Sequence, residues 1–254
     1  MGSMVRKIIA IALALTAQTA MANAAEIKIV TVGALQVALR NLAMDYPLAE
    51  GDTITVTASS PTGLAGIIEE DQYDAVFGAS PVLTELANEG RLVPGTYKPI
   101  ARSYVGIIIR EGAPIPDIST VDAFKAYVMG VRNFVYTDPT APNGTGAHTF
   151  QVLTDAGLFD LVASKGHQSN LLGSRDLVAS GEYEMAFINL AGATTPGIAV
   201  AGPVPASLQQ YTNYDMGVFA NGPNKDEAAR FLDFVGSSAA TQRFTEARLD
   251  HTQN

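Results

Sequence analysis

The chain has 254 residues, with 16 Lys and Arg against 25 Asp and Glu, a formal net charge of −9, and 47% hydrophobic residues. This composition excludes an intrinsically disordered chain, and the acidic balance argues against nucleic-acid binding, which needs clustered Lys and Arg. Because the sequence contains no Cys, it excludes disulfides, thiol nucleophiles and Cys-ligated metal sites. With only three His in addition, we expect no metal site and no cofactor.

The first 24 residues have the pattern of a secretory signal peptide. A short basic segment precedes the apolar run Ile8–Leu15, and small residues then lead to an A-x-A pattern that ends at Ala24. A membrane anchor is the less favoured alternative, because the run is about 8 residues long and a bilayer span needs roughly 20. We therefore expect cleavage near Ala24 and an exported, periplasmic protein whose mature chain does not insert into the membrane.

The mature chain begins with alternating strand and helix patterns. An alternating, β-branched run comes first, and two further apolar runs are each followed by a segment with helical spacing. The predicted strands span residues 26–32, 54–58 and 73–79, and the predicted helices span residues 35–46, 64–70 and 80–90. This β-α-β-α-β-α order predicts a parallel sheet with helices packed on it.

The rest of the chain contains a second β/α set. The run Val105–Arg110 is apolar enough to be buried on both faces, which predicts a central strand. Further strands are expected at residues 134–137, 185–189, 198–200 and 216–219, and helices at residues 121–128, 146–156, 177–181, 225–235 and 238–246.

The expected architecture is therefore α/β, with two lobes of mostly parallel sheet and helices on both faces. Extended crossovers near residues 99–104 and 197–216 would join the lobes. We expect residues 25–101 and 212–254 to form lobe 1, residues 102–211 to form lobe 2, and the protein to be a monomer.

Small polar residues follow four of the predicted strands. In open α/β sheets, ligands bind at the carboxyl ends of strands, where helix N-termini present unpaired N–H groups. Several such ends together can bind an anion without net basic charge. Helix capping is the ordinary role of each segment alone, so only their combination favours a site. The segments are Gly33–Ala34, Ser59–Gly63, Ala79–Ser80 and Asp138–His148.

The last of these segments contains the two residues best suited to acid–base chemistry. It lacks the G-x-x-x-x-G-K-[S/T] pattern, so nucleotide binding is not indicated. Asp138 precedes a proline and could form a turn, bind a ligand or act as a base. His148 lies near the start of a helix, and because histidine titrates near neutrality it could transfer a proton or have no special role.

Several short motifs of the chain are similar to those of a known family. They are the Ser-Ser-x-x-Gly-Leu turn from Ser59, and the segments Asp74–Ala79, Gly90–Val93, Tyr136–Pro139 and Ala228–Leu232. On these motifs the chain resembles the periplasmic molybdate-binding proteins, which have the type 2 periplasmic binding fold. The resemblance implies two α/β lobes that close on a small anionic ligand around a hinge and deliver it to an ABC-transporter permease.

Two segments depart from that family. Molybdate binders usually have a Ser after the first strand, where this chain has Gly33-Ala34-Leu35. They also usually carry an acidic residue and a Tyr in the segment that corresponds to residues 187–191, and this chain has neither there. Some proteins of this branch resemble periplasmic aconitate isomerases, which move a double bond in a tricarboxylate. Such a ligand would need Arg clamps, and the candidates are Arg102 and Arg175.

Two hypotheses follow. In the first, the protein is an exported solute-binding protein that captures a molybdate-like oxyanion or a small carboxylate between its lobes. In the second, it is an isomerase that interconverts cis- and trans-aconitate, with His148 and Asp138 as catalytic residues. The candidate ligand-binding residues are Gly33, Ala34, Ser59, Ser60, Thr62, Ala79, Ser80, Arg102, Thr145, Gly146, His148, Arg175 and Asn189.

Other polar residues have ordinary structural interpretations. Asp74 precedes a strand and is expected to be a structural hydrogen-bonding group. His167 and His251 lie in polar segments and are expected to be solvated. The tyrosines near the expected hinges are expected to pack against apolar neighbours. They are Tyr104, Tyr211 and Tyr214.

Overall fold

The computed structural model describes residues 24–59, 64, 66, 73–140, 144–191, 193 and 195–253. The predicted signal peptide lies outside these residues except for its last position, and so does most of the predicted helix at 64–70, of which Leu64 and Gly66 are described and helical. In the described part of the chain, no helix is both long enough and apolar enough to cross a bilayer.

Ten strands are present in the described part of the chain. They are β1 (Glu26–Val32), β2 (Thr53–Ser59), β3 (Ala75–Ala79), β4 (Lys98–Arg110), β5 (Phe134–Tyr136), β6 (Gly166–Gln168), β7 (Met185–Asn189), β8 (Ile198–Pro203), β9 (Tyr211–Val218) and β10 (Asp250–His251).

Eight α-helices accompany these strands in the same residues. They are α1 (Gln36–Asp45), α2 (Ser80–Asn88), α3 (Val121–Gly130), α4 (Thr145–Asp155), α5 (Leu161–Lys165), α6 (Leu171–Ala179), α7 (Lys225–Val235) and α8 (Thr241–Glu246). Two 3₁₀ turns, Gly33–Leu35 and Ser238–Ala240, precede α1 and α8.

The strands form one connected sheet with two parts that share β4. The order is β2-β1-β3-β9-β4-β7-β5-β6, and both β8 and β10 also pair with β4. Pairing is parallel among β1, β2 and β3 and among β5, β6 and β7, whereas β4 and β9 pair antiparallel with their neighbours. The sheet is therefore parallel among the outer strands of each part and antiparallel around β4 and β9.

Each part of the sheet has its own hydrophobic core. In the first part, apolar side chains of β1, β3 and β9 pack against α1, α2 and α7. In the second, the ring of Phe187 makes edge contacts with Phe124 and Phe134, and a separate cluster under α6 covers the other face of β4 and β7. The separate cores support the predicted division into lobes, and the exact lobe boundaries stay a prediction.

The structure extends the predicted strand at 105–110 and the predicted helix at 177–181. Strand β4 begins at Lys98, so the expected crossover at 99–104 is a paired strand whose partner is β9. Its first half mixes exposed and buried residues, which hid it from a search for apolar runs. Helix α6 begins at Leu171, because Asn170 Oδ1 accepts a hydrogen bond from Gly173 N at 2.8 Å and caps its first turn.

The expectation that His251 is solvated is wrong. Its Nδ1 lies 2.9 Å from Thr241 Oγ1, its Nε2 lies 3.0 Å from the carbonyl oxygen of Val235, and its ring stacks on Phe244 at 4.5 Å. The local sequence is polar, but β10 pairs with β4 and brings the ring against α8. Asp74 has the expected structural role, because its buried carboxylate accepts hydrogen bonds from Lys28 N and Asn224 N.

Candidate functional site

The strand directions bring two sets of strand ends toward each other. Since β3 and β4 both pair antiparallel with β9, they run in the same direction, and β1 and β2 run with them. Strand β7 runs opposite to β4, and β5 and β6 run parallel to β7. The carboxyl ends of β1–β3 therefore point toward the second part of the sheet, and those of β5–β7 point back. We call these two sets the facing strand ends.

Five of the predicted residues lie at the facing end of the first part. Gly33 and Ala34 form the 3₁₀ turn after β1, Ser59 ends β2, and Ala79 and Ser80 connect β3 to α2. The last three are half-buried, so they contact both protein and solvent. Ser60 and Thr62 lie outside the described residues.

The first turn of α4 lies at the opposite facing end. Thr145 and Gly146 begin this helix shortly after β5. Gly146 is buried, and a Cβ added to it would collide with the carbonyl oxygens of Thr137 and Asp138. Only glycine therefore lets the helix start lie directly on the end of β5, which places its free N–H groups at the facing strand ends.

Asp138 forms a turn. Its Oδ1 accepts hydrogen bonds from Thr140 N at 2.9 Å and from Thr140 Oγ1 at 2.8 Å. These two bonds favour the carboxylate form and lower the pKa of Asp138 below its ordinary value. The side chain is exposed and is held by its own loop, which is the turn-forming role that the Asp-Pro sequence offers.

His148 lies in the first turn of α4 and is half-buried. Burial lowers its pKa, so the neutral imidazole is the form present near neutral pH. Its backbone N–H bonds to the carbonyl oxygen of Gly144, while its ring has no hydrogen-bond partner among the described residues. A neutral ring with free nitrogens can donate to a ligand or exchange a proton with it.

A hydrogen-bonded cluster of Ser103, Asn189 and Tyr214, here called the junction cluster, connects the two sets of strand ends. Asn189 Nδ2 donates to Ser103 Oγ at 2.7 Å, and Ser103 Oγ lies 3.1 Å from Tyr214 Oη. Ser103 is 0% exposed and Tyr214 is 4% exposed, and burial raises the pKa of Tyr214. Tyr214 is also the cross-strand partner of Ala79, which places the cluster at the carboxyl ends of both β3 and β7.

Sequence reasoning found only one member of this cluster. Asn189 is among the candidate ligand-binding residues of the sequence analysis, whereas Ser103 is not singled out there and Tyr214 is expected only to pack. One available signal is the polar side chain of Ser103, which lies two residues before the apolar run that begins at Val105. The partners are 86 and 111 residues away, so no local pattern joins them.

The two candidate arginines lie in different environments. Arg102 Nε bonds to Asp250 Oδ2 at 2.9 Å, and its guanidinium carbon lies 4.2 Å from the ring centre of Tyr211. Arg175 lies in the second turn of α6, is half-buried, and has a buried Nε without a partner among the described residues. The structure therefore engages Arg102 within the protein and leaves Arg175 available.

Elsewhere in the described residues, neither a metal-binding cluster nor the cavity described next involves the predicted site residues. No group of three or more His, Asp or Glu side chains in that part of the chain could hold a metal ion. A cavity of about 320 Å³ lies between residues 116–119 and 201–206, and it is lined by none of the predicted site residues.

Residues 27–247 match the sequence profile of a family described as bacterial extracellular solute-binding proteins. The chain belongs to this family. Among relatives of this solute-binding protein is an aconitate isomerase from Pseudomonas sp., which is 23% identical over 231 residues that cover 87% of this chain and 86% of the relative.

Two solved structures support the fold of this solute-binding protein. One is a substrate-binding domain, assigned to a molybdenum ABC transporter, from Clostridium difficile, with a TM-score of 0.74, 19% identity, and coverage of 91% of this chain and 100% of that chain. The other is the periplasmic molybdate-binding protein of Azotobacter vinelandii, with a TM-score of 0.67, 22% identity, and coverage of 88% and 98%. The two-lobed fold of type 2 periplasmic binding proteins, predicted from the motifs, is confirmed.

Proposed function

We propose that this solute-binding protein captures a small anion between the facing strand ends of its two lobes. The observation that carries the proposal is the convergence of helix starts and hydroxyl groups at those ends. Helices α2 and α4 begin there, and Ser59, Ser80 and the junction cluster lie beside them. Helix N-termini carry unpaired N–H groups and a partial positive charge, so they favour an anion although the chain is acidic.

The chemistry of the site accommodates either a tetrahedral oxyanion or a small carboxylate. Hydroxyl and backbone N–H donors suffice for an oxyanion such as molybdate. Ser59, Ser80 and Thr145 would supply such donors, and Gly146 would supply its N–H. Ser60 and Thr62, which lie outside the described residues, are proposed as further donors of lobe 1.

Export and delivery to a transporter complete the proposal. Residues 1–24 have the pattern of a cleaved signal peptide, and the family is extracellular. We propose a periplasmic protein that hands its ligand to an ABC-transporter permease, a role consistent with the transporter domain to which the fold is similar. Intact-mass measurement of the exported chain should give a product that lacks residues 1–24, and retention of those residues would contradict the export step.

Ligand-dependent thermal stability tests the binding function. Molybdate, tungstate, sulfate, citrate, cis-aconitate and trans-aconitate would each be added to the purified mature protein. A ligand at 100 times its dissociation constant stabilises the native state by about 2.7 kcal/mol. At least one of these anions should raise the melting temperature, while chloride at equal ionic strength should not. No stabilisation by any of them would contradict anion capture.

An isomerase is the second candidate function, and two observations favour it. An aconitate isomerase is similar to this chain over most of its length. In addition, His148 is half-buried, has a lowered pKa and keeps its ring nitrogens free of described partners. A neutral imidazole of this kind is suited to move a proton between neighbouring carbons of a carboxylate ligand.

A proton-NMR time course with cis-aconitate separates the two candidates. If the protein is an isomerase, the signals of trans-aconitate should grow at a rate proportional to protein concentration, and His148→Ala should lower that rate at least 100-fold. The matched variant His167→Ala removes an exposed histidine of the same lobe and should retain turnover. If the cis-aconitate spectrum does not change with time, the isomerase candidate is contradicted and the binding function remains.

A further inference from the structure

Arg175 lies at the facing end of lobe 2. Helix α6 follows β6, which runs parallel to β5, so the helix begins at the same end of the sheet as α4. Side chains of a helix tilt toward its N-terminus, and the guanidinium of Arg175 is therefore displaced from its own Cα toward the facing strand ends.

The neighbours of α6 show which part of lobe 2 the helix covers. The helix packs against β4, β7 and β8. Ala179 contacts the backbone near Gly197, where an added Cβ would lie 3.1 Å from the Ala179 Cβ. Arg175 precedes Ala179 by four residues, about one helical turn, and is therefore nearer to the start of the helix and to the facing strand ends.

The guanidinium has an unused hydrogen-bonding capacity. The Nε atom of Arg175 is buried, and neither it nor the terminal nitrogens have a hydrogen bond or ion pair with any described residue. By contrast, the other candidate clamp, Arg102, is paired with Asp250. A buried donor without an acceptor is rare in folded proteins and points to a group that the protein itself does not provide.

We propose that Arg175 binds a carboxylate of the ligand and thereby makes this protein selective for small carboxylates over molybdate-type oxyanions. The proposal rests on the proposed anion capture and names its ligand class. A guanidinium presents parallel N–H groups that match the two oxygens of a carboxylate, and the loss of solvent around Arg175 strengthens such a pair. A tetrahedral oxyanion bound by hydroxyls and N–H groups would leave this donor unused.

Isothermal titration calorimetry with the mature full chain tests the proposal. The probes are citrate, cis-aconitate and trans-aconitate as carboxylates, and molybdate as the oxyanion. Compared with the unchanged protein, Arg175→Gln should bind the preferred carboxylate at least tenfold more weakly, and Arg175→Lys should retain the charge but lose the parallel pair, with an intermediate loss. The matched control is Arg132→Gln, because Arg132 is exposed, lies in the same lobe and pairs with Glu184 at the other end of β5.

The melting temperature without ligand separates a binding role from a structural one. Removal of an unpaired, partly buried charge should leave it unchanged or raise it, whereas loss of a structural contact would lower it. Tight binding of molybdate with no carboxylate binding would overturn this proposal and leave anion capture intact, as would equal carboxylate affinity of Arg175→Gln and the unchanged protein. Binding of none of the probes would contradict anion capture itself.

Discussion

Gly146 is the residue at which the backbone of the site is most tightly packed. Its Cα lies against the carbonyl groups of Thr137 and Asp138, so that α4 starts directly on the end of β5. No φ constraint is involved, because Gly146 is not among the glycines with positive φ. Its requirement for glycine comes entirely from the close approach of two backbone segments.

Gly146→Ala should destabilise the protein by about 1–3 kcal/mol, because the added methyl group forces α4 away from the strand end. It should also weaken anion binding, since the free N–H groups of α4 move with the helix. Urea unfolding measures the first effect and calorimetry the second. The matched control Gly130→Ala adds a methyl group at the end of α3 where no atom lies within 4 Å, and it should not destabilise. Equal stability of the two variants would contradict the packing argument.

Among the secondary-structure elements, β4 and β9 are the ones that connect the lobes, and side-chain amides hold them. Gln209 bonds with both backbone groups of Val105, donating from Nε2 to its carbonyl oxygen and accepting from its N–H, each at 2.9 Å. Asn189 donates to Ser103 and accepts from Ala191 N at 2.9 Å. Both side-chain amides have all of these hydrogen bonds within the protein, and the bonds hold β4 in place next to its neighbours. Any closure of the lobes must bend β4 and β9.

Asn189→Ala should lower the free energy of unfolding by about 1–3 kcal/mol, because it leaves the Ala191 N–H without its acceptor and removes one of the two hydrogen bonds of the Ser103 hydroxyl. Chemical denaturation checks this. Asn213→Ala is the matched control on β9, since that side chain is exposed and has no hydrogen bond with a described residue. If Asn213→Ala lowers the free energy of unfolding as much as Asn189→Ala does, the hydrogen bonds of the junction cluster do not contribute the predicted stability.

Across the complete fold, two half-buried histidines couple stability to pH, one in each predicted lobe. Burial lowers the pKa of both His148 and His251. In the unfolded chain a histidine titrates at about pH 6.5, so below that pH the unfolded state binds protons that the folded state does not. The stabilising contribution is therefore present above about pH 6.5 and is lost as the pH falls through the lower pKa of the folded state.

The free energy of unfolding should fall between pH 7 and pH 5, and His148→Gln and His251→Gln should each make that fall smaller. Carboxylates with lowered pKa values, such as Asp45 and Asp138, also destabilise in acid, but at pH values below the histidine range. Urea titrations at several pH values measure how steeply the free energy of unfolding changes with pH. This slope does not change if a substitution lowers stability equally at every pH. Identical slopes in the unchanged protein and both variants would contradict the assignment.

Much of the fold follows from local pattern. The alternation in Glu26–Val32, the apolar run in Met185–Asn189 and the apolar stripe of Lys225–Val235 each predicted their element, because burial of one face or of both leaves a period that a short window detects. Short polar strands such as Gly166–Gln168 were missed, since three residues carry no period.

The candidate site residues are predicted from local pattern as well, because the end of a strand and the start of a helix are neighbours in the chain. Gly33, Ala79, Thr145 and Asn189 lie where the order of elements placed them. Whether a candidate side chain is already hydrogen-bonded within the protein depends instead on residues that are remote in the sequence, as the two candidate arginines show. Asp250 pairs with Arg102 from 148 residues away, while Arg175 has no described partner.

Composition, element order and short motifs were thus enough for the class of fold and the family, and they also put the candidate ligand-binding residues at strand ends. The junction cluster, the burial of His251 and the different environments of the two arginines arose only from long-range pairing of β4 with β7, β9 and β10. The physical reason is that hydrogen bonding and burial act through space. Local sequence specifies which groups a residue offers, and the folded chain specifies which of them are already used.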